Sequence, residues 1–165
     1  MNKALIVIDV QKYFLNEETQ VVVKRIRDFL KDKSAEYTAV YFTIFKNDST
    51  SPLWQISEWQ SCTDSPDIDV CDEIKEFTND HNLFYKNILS AYKVAEIKKG
   101  LKDNNISEVY LCGFDTDSCV LATVYDLFDE GIKPIVIERL TWSTSEEKLH
   151  KPTLQIIERN IGFVE

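Results

Sequence analysis

Three residues in this chain pair a reactive side chain with a position where a strand gives way to a turn. Asp9 sits near the end of the apolar run "ALIVIDV", Lys86 closes the short apolar stretch "LFYK", and Cys119 follows the polar turn "GFDTDS". A carboxylate inside such an apolar run is costly unless something partners it. Its bland role is to cap the following turn, but in "IVIDVQ" two more residues, Val10 and Gln11, follow the acid, which directs Asp9 to the sheet's upper edge. A lysine is ordinarily solvated surface, and Lys86 draws notice only because it ends a strand. A lone cysteine is ordinarily an inert buried thiol. At the start of a helix, however, a thiol faces the positive end of the helix dipole and unpaired N–H groups, which favour the thiolate. An acid, a cation and a thiol together supply what nucleophilic catalysis requires.

The elements that must position them follow from periodicity. Runs at 4–10, 37–45, 83–85, 108–112 and 133–138 are apolar, β-branched or aromatic, and predict strands. The first lacks alternation and so predicts a strand buried on both faces. Pro134 must lie at a strand start. Helical spacing appears at 19–30, 94–104 and 119–130, with Gly131 as a C-terminal cap. A last helix is expected from Thr144 or Ser145, with Thr144 and Glu147 spaced as a capping box. Strands alternating with helices specify an α/β fold: one parallel, doubly wound, Rossmann-like sheet with helices on both faces. The 165 residues suit a single domain, 1–165. In such sheets ligands bind beyond the carboxyl ends of the strands, where Asp9, Lys86 and Cys119 all fall.

The stretch 46–70 is long for a loop. Ser51-Pro52 predicts a short helix with proline at its first position, its apolar side formed by Leu53, Trp54, Ile56 and Trp59. Its tryptophans either line a pocket or pin the segment to the core.

Composition bounds the partners. The net charge of −9 disfavours nucleic acid and acidic membrane surfaces, and no run reaches membrane-spanning length. The apolar N-terminus is interrupted by Asp9 and reads as a strand, not a leader, so a cytoplasmic location is expected. The four cysteines, at 62, 71, 112 and 119, show no CxxC spacing.

Taken in order, "ALIVIDVQKYF", "FYKNILSAY" and "GFDTDSCVLATVYDLFDEG" resemble the cysteine hydrolases of the isochorismatase-like superfamily. The resemblance spans nearly the whole chain. It implies a catalytic triad of Asp9, Lys86 and Cys119. It implies a non-proline cis peptide joining Phe114 to Asp115, and an oxyanion hole made by the backbone N–H groups of Asp115 and Cys119. It also implies an assembly of two or four copies, hence a homo-oligomer.

Two departures narrow the activity. The Asp-x-His metal motif by which the family's nicotinamidases resemble one another is missing from "FTIFKNDSTSPLW", and the histidines at 81 and 150 lie elsewhere. No metal or cofactor is therefore expected. Members that hydrolyse isochorismate lack the cysteine. What remains is a small-molecule substrate, an amide or related C–N bond, cleaved through a thioester. Phe14, Trp54, Trp59 and Tyr92 are candidate pocket walls, with ordinary core packing as the alternative for each. The side chain of Asp117 is expected to point away from the sulfur, because a free carboxylate there would oppose thiolate formation. A different reading of the same fold is a non-catalytic binding or thiol-sensing protein, which would need an exposed, acidic thiol but no paired acid and lysine.

Overall fold

Branched apolar side chains on successive residues of one strand need cover on both sides, and the sheet supplies it. The computed structural model describes residues 2–165. Five strands, β1 (Asn2–Ile8), β2 (Ala39–Phe45), β3 (Leu83–Lys86), β4 (Ile106–Gly113) and β5 (Lys133–Thr141), form one all-parallel sheet in the order β3-β2-β1-β4-β5. In β1, Leu5 and Val7 pack on one face, while Ala4, Ile6 and Ile8 pack on the other. Helix α1 (Glu17–Lys33) covers the first face through Val22, Val23, Ile26 and Leu30. The opposite face is covered by α3 (Ala95–Asp103), α4 (Leu121–Asp129) and α5 (Glu147–Asn160), through Ile97, Leu101, Val124, Leu127, Leu154 and Ile157. The expected α/β architecture is therefore observed.

Local chemistry explains two helix starts. Asn16 caps α1 by accepting from the N–H groups of Glu18 and Thr19, and Thr19 Oγ1 accepts from the Asn16 N–H in return. Ser51 caps the four-residue α2 (Pro52–Gln55), with Pro52 at its first position. The apolar side expected for that segment is only partly formed, since Ile56 stands 80% exposed.

β2 starts at Ala39 and β5 runs on to Thr141, and three further differences from expectation bear on the site. β1 ends at Ile8, so Asp9 lies beyond the strand, in the left-handed region at φ 51°. The helix after β4 opens with a wide, π-type turn over Thr116–Val120 before α4 begins. Thr144 does not cap α5: that helix starts at Glu147 behind Glu146, at φ 62°, with no side-chain cap. The Thr144 hydroxyl instead donates to Asp115 Oδ2 at 2.7 Å. A long-range bond to a partly buried carboxylate has displaced the local capping box.

The last residue of β4 lies tight against β1. Gly113 has φ 108°, and a Cβ there would collide with the Ile8 carbonyl oxygen, which accepts the Phe114 N–H at 2.8 Å. Only glycine meets both demands. Gly113→Ala is expected to destabilise the fold by roughly 3 kcal/mol or more, read as a lower midpoint in thermal or urea unfolding. An unchanged midpoint would contradict this close approach.

Candidate active site

Successive strands are added outward in one direction from β1 to β3 and in the other from β4 to β5, so the strand order switches between β1 and β4 and a crevice opens beyond their carboxyl ends. Asp9 leaves β1 on one side of it, and the turn carrying Cys119 leaves β4 on the other. Lys86 ends β3 at the sheet edge, paired in register with Phe45 of β2. Its long side chain crosses the end of β2 to reach both.

The Lys86 ammonium uses all three of its donors. It lies 2.6 Å from Asp9 Oδ2, 3.1 Å from the Ile88 carbonyl oxygen and 3.4 Å from Cys119 Sγ. The other Asp9 oxygen accepts from Thr43 Oγ1 at 2.7 Å. Asp9 is 0% exposed, the Lys86 side chain 1% and Cys119 5%. The Phe45 ring lies beneath the ammonium, its centroid 5.1 Å away.

Electrostatics assigns the resting protons. Burial drives Lys86 toward its neutral form, but the charge of Asp9 and the contact with Cys119 outweigh it, holding the amine above its ordinary value. Burial pushes the Cys119 thiol up; Lys86 opposes the rise, and Asp9 adds to it by charge and as an acceptor for the S–H. The resting site therefore pairs an ammonium with a protonated thiol. Such a thiol is the opposite of what a redox sensor requires.

The turn before Cys119 is held by α5 and the loop leading into it. Peptide 114–115 is cis. Asp115 accepts from Thr144 through the N–H at 2.8 Å and the hydroxyl at 2.7 Å. Burial nevertheless raises its carboxyl to about 6, with Asp117 and Asp9 adding to the shift. Asp117 is engaged by the Ser143 hydroxyl. Thr116 donates its N–H to the Trp142 carbonyl, and its hydroxyl lies 2.8 Å from Nδ1 of buried His150, which packs against the Trp142 ring. His81 sits in an exposed turn away from the site. Among the described residues the Asp115 N–H has no acceptor.

Above the sulfur lies a cavity of about 280 Å³. Phe14 and Trp59 line it, as the sequence suggested; Tyr13, Phe45, Leu53 and Leu89 complete its apolar wall, and Asp115, Ser118 and Thr144 give it a polar side. Trp54 and Tyr92 lie outside it. Tyr92 is buried in the core under α3 and α4, and Trp54 sits half-buried on α2. Two buried amides that the sequence did not single out hold the aromatic wall. Gln11 bonds both backbone groups of Phe45 and the Asp67 carbonyl, and Asn47 donates to the Trp59 carbonyl.

The family model for the isochorismatase domain matches residues 3–164. The chain belongs to that family. It is 24% identical to Nicotinamidase 3 of Arabidopsis thaliana, over 97% of this chain and 80% of that protein. Among solved structures, N-carbamoylsarcosine amidase from Thermoplasma acidophilum superposes with a TM-score of 0.85 at 22% identity, covering all of this chain and 96% of that one. The pyrazinamidase/nicotinamidase of Streptococcus mutans gives 0.84 at 21%, covering 99% and 100%. Identities this low establish the fold; hydrolase chemistry comes with the family. Among the described residues no cluster of three or more histidine, cysteine or acidic side chains is placed to hold a metal ion, and no helix is long and apolar enough to cross a membrane.

A thiol held above its ordinary value carries little thiolate at neutral pH, and the fraction grows tenfold per pH unit until the pKa is passed. Alkylation of Cys119 by iodoacetamide, followed by mass spectrometry, should thus rise steadily from pH 7 through pH 9 without a plateau. A plateau already reached at pH 7 would show an acidic thiol and contradict this assignment.

Proposed function

We propose that the chain is a cysteine hydrolase of small amides or related C–N bonds, with Asp9, Lys86 and Cys119 as its catalytic residues. The observation that carries this reading is the single ammonium lying 2.6 Å from a buried carboxylate and 3.4 Å from a sulfur at the floor of a cavity. Family membership supports hydrolysis, and the amidases among its structural neighbours support an amide as the bond cleaved.

As Cys119 Sγ attacks the carbonyl carbon, Asp9 takes the thiol proton, so that no free thiolate need be stored beforehand. Lys86 keeps carboxylate and sulfur in register, and its charge favours sulfur anion as it develops. The carbonyl oxygen gains negative charge and is held by the N–H groups of Asp115 and Cys119, a contribution on the order of 3 kcal/mol per donor. Asp9 then gives its proton to the leaving nitrogen. The C–N bond breaks, the amine or ammonia departs, and the acyl group remains as a thioester on Cys119. A water, losing its proton to Asp9, attacks the thioester; the acid leaves and the sulfur regains a proton. The apolar wall of Phe14, Phe45, Trp59 and Leu89 encloses the acyl group while the thioester stands. A homo-oligomer, two or four copies of the chain, belongs to the same reading.

Cys119→Ala should remove turnover of a screened small amide entirely while the protein stays folded, its unfolding free energy lowered by about 1–3 kcal/mol for the donor left unpaired on Lys86. Asp9→Asn should lower kcat by roughly a hundredfold or more. In the unaltered chain, acid quenching during turnover should trap an adduct on the Cys119 peptide with the mass of the acyl group. Full activity in Cys119→Ala would overturn the assignment.

A further inference from the structure

A second cavity, of about 530 Å³, adjoins the first and is the larger of the two. Leu53 and Leu89 line both, so two leucine side chains are all that the spaces share as a divide. The far space is walled by Ile56, Ile88, Ala122 and Tyr125, an apolar lining. Its charged residues, Lys93 and Asp126, pair with each other at 3.4 Å, which leaves no net charge to offer a ligand. One polar atom stands out. Ser90 Oγ, on a residue 4% exposed that lines this space, is the one buried side-chain N or O among the described residues with no hydrogen-bond partner. A buried hydroxyl left unpaired is costly and calls for a partner.

We propose that this cavity takes the remote end of the substrate's acyl chain. The chamber over Cys119, at about 280 Å³, holds the reacting amide and its first few carbons, and the leucines it shares with the larger space lead a longer attached chain away from the sulfur. The substrate class is then a neutral primary amide bearing an apolar chain of several carbons, with a hydroxyl or carbonyl oxygen placed to pair with Ser90. Ammonia leaves, and the chain stays with the acyl group on the sulfur, so its burial also anchors the thioester. This rests on the amidase reading above only for the chemistry at the near end; the cavity's preference for a chain is a matter of binding.

The test is calorimetric titration of Cys119→Ala protein with linear primary amides from propanamide to octanamide. Affinity should rise about fourfold for each methylene that enters the cavity. Ala122→Trp, made in the same background to fill the space from the first turn of α4, should flatten that dependence and leave propanamide binding unchanged; Ala122→Leu serves if the tryptophan variant does not fold. A chain carrying a terminal hydroxyl should bind several-fold tighter than its parent, and Ser90→Ala should erase that gain. The proposal is overturned if chain length has no effect on affinity, or if filling the cavity leaves the dependence intact. It is equally overturned if Ala122→Trp alters only the oligomeric state in sedimentation, which would mark this space as an interface between copies. Turnover of the same amides by the unaltered chain separates the two readings. Length-dependent binding without turnover sinks the amidase and keeps the cavity's role; turnover indifferent to length does the reverse.

Discussion

The interaction on which the site depends is the buried contact between Lys86 and Asp9. Taking either charge out of water alone would cost several kcal/mol, and their attraction offsets that only if the remaining hydrogen-bonding capacity is also met. Here it is met. The ammonium's other donors reach the Ile88 carbonyl and the Cys119 sulfur, and the second carboxylate oxygen receives Thr43. The sulfur is thus part of what satisfies the cation. The contacts that stabilise the pair are the ones that set the distance from acid to nucleophile, so folding and site assembly share one set of bonds.

That contact constrains the topology. Asp9, Lys86 and Cys119 are separated by 77 and 33 residues in the chain; the parallel pairing brings their strand ends to one rim, and the order β3-β2-β1-β4-β5 sets β1 beside β4 and β3 one strand further out. The remaining polar network fixes what the ion pair cannot. Thr144, Ser143 and His150, in α5 and the loop before it, hold Asp115, Asp117 and Thr116, and so set the path of the nucleophile's turn. Gln11 and Asn47 do the corresponding task for the aromatic wall. The larger neighbouring cavity shares the apolar lining of the first through Leu53 and Leu89.

Much of this was legible in the amino-acid order. The unbroken apolar run of β1 announced burial on both faces, and the alternation of strand and helix announced the parallel sheet. The three reactive residues were visible because each lay at the carboxyl end of an apolar strand or in the turn that follows one, a position with chemical meaning in this architecture. What escaped reading depends on partners distant in sequence. Thr144 and Glu147 have capping-box spacing, but Asp115, 29 residues earlier, takes the threonine. Asp9 looked like a strand residue because Val10 is also apolar; the backbone instead turns left-handed there. Tyr13, Phe45 and Leu89 carry no individual mark that separates a pocket wall from core. Tyr92 has the same composition signal as Trp59 and lies in the core.

The central claim is that Asp9 and Lys86 act on Cys119 as one unit. A double-mutant cycle on kcat/KM for a hydrolysed amide, with Asp9→Asn, Lys86→Met and the two combined, tests it most directly. A unit predicts that the double variant loses little more than either single one. Losses that multiply in full would mean that the two residues contribute independently, and would contradict the account.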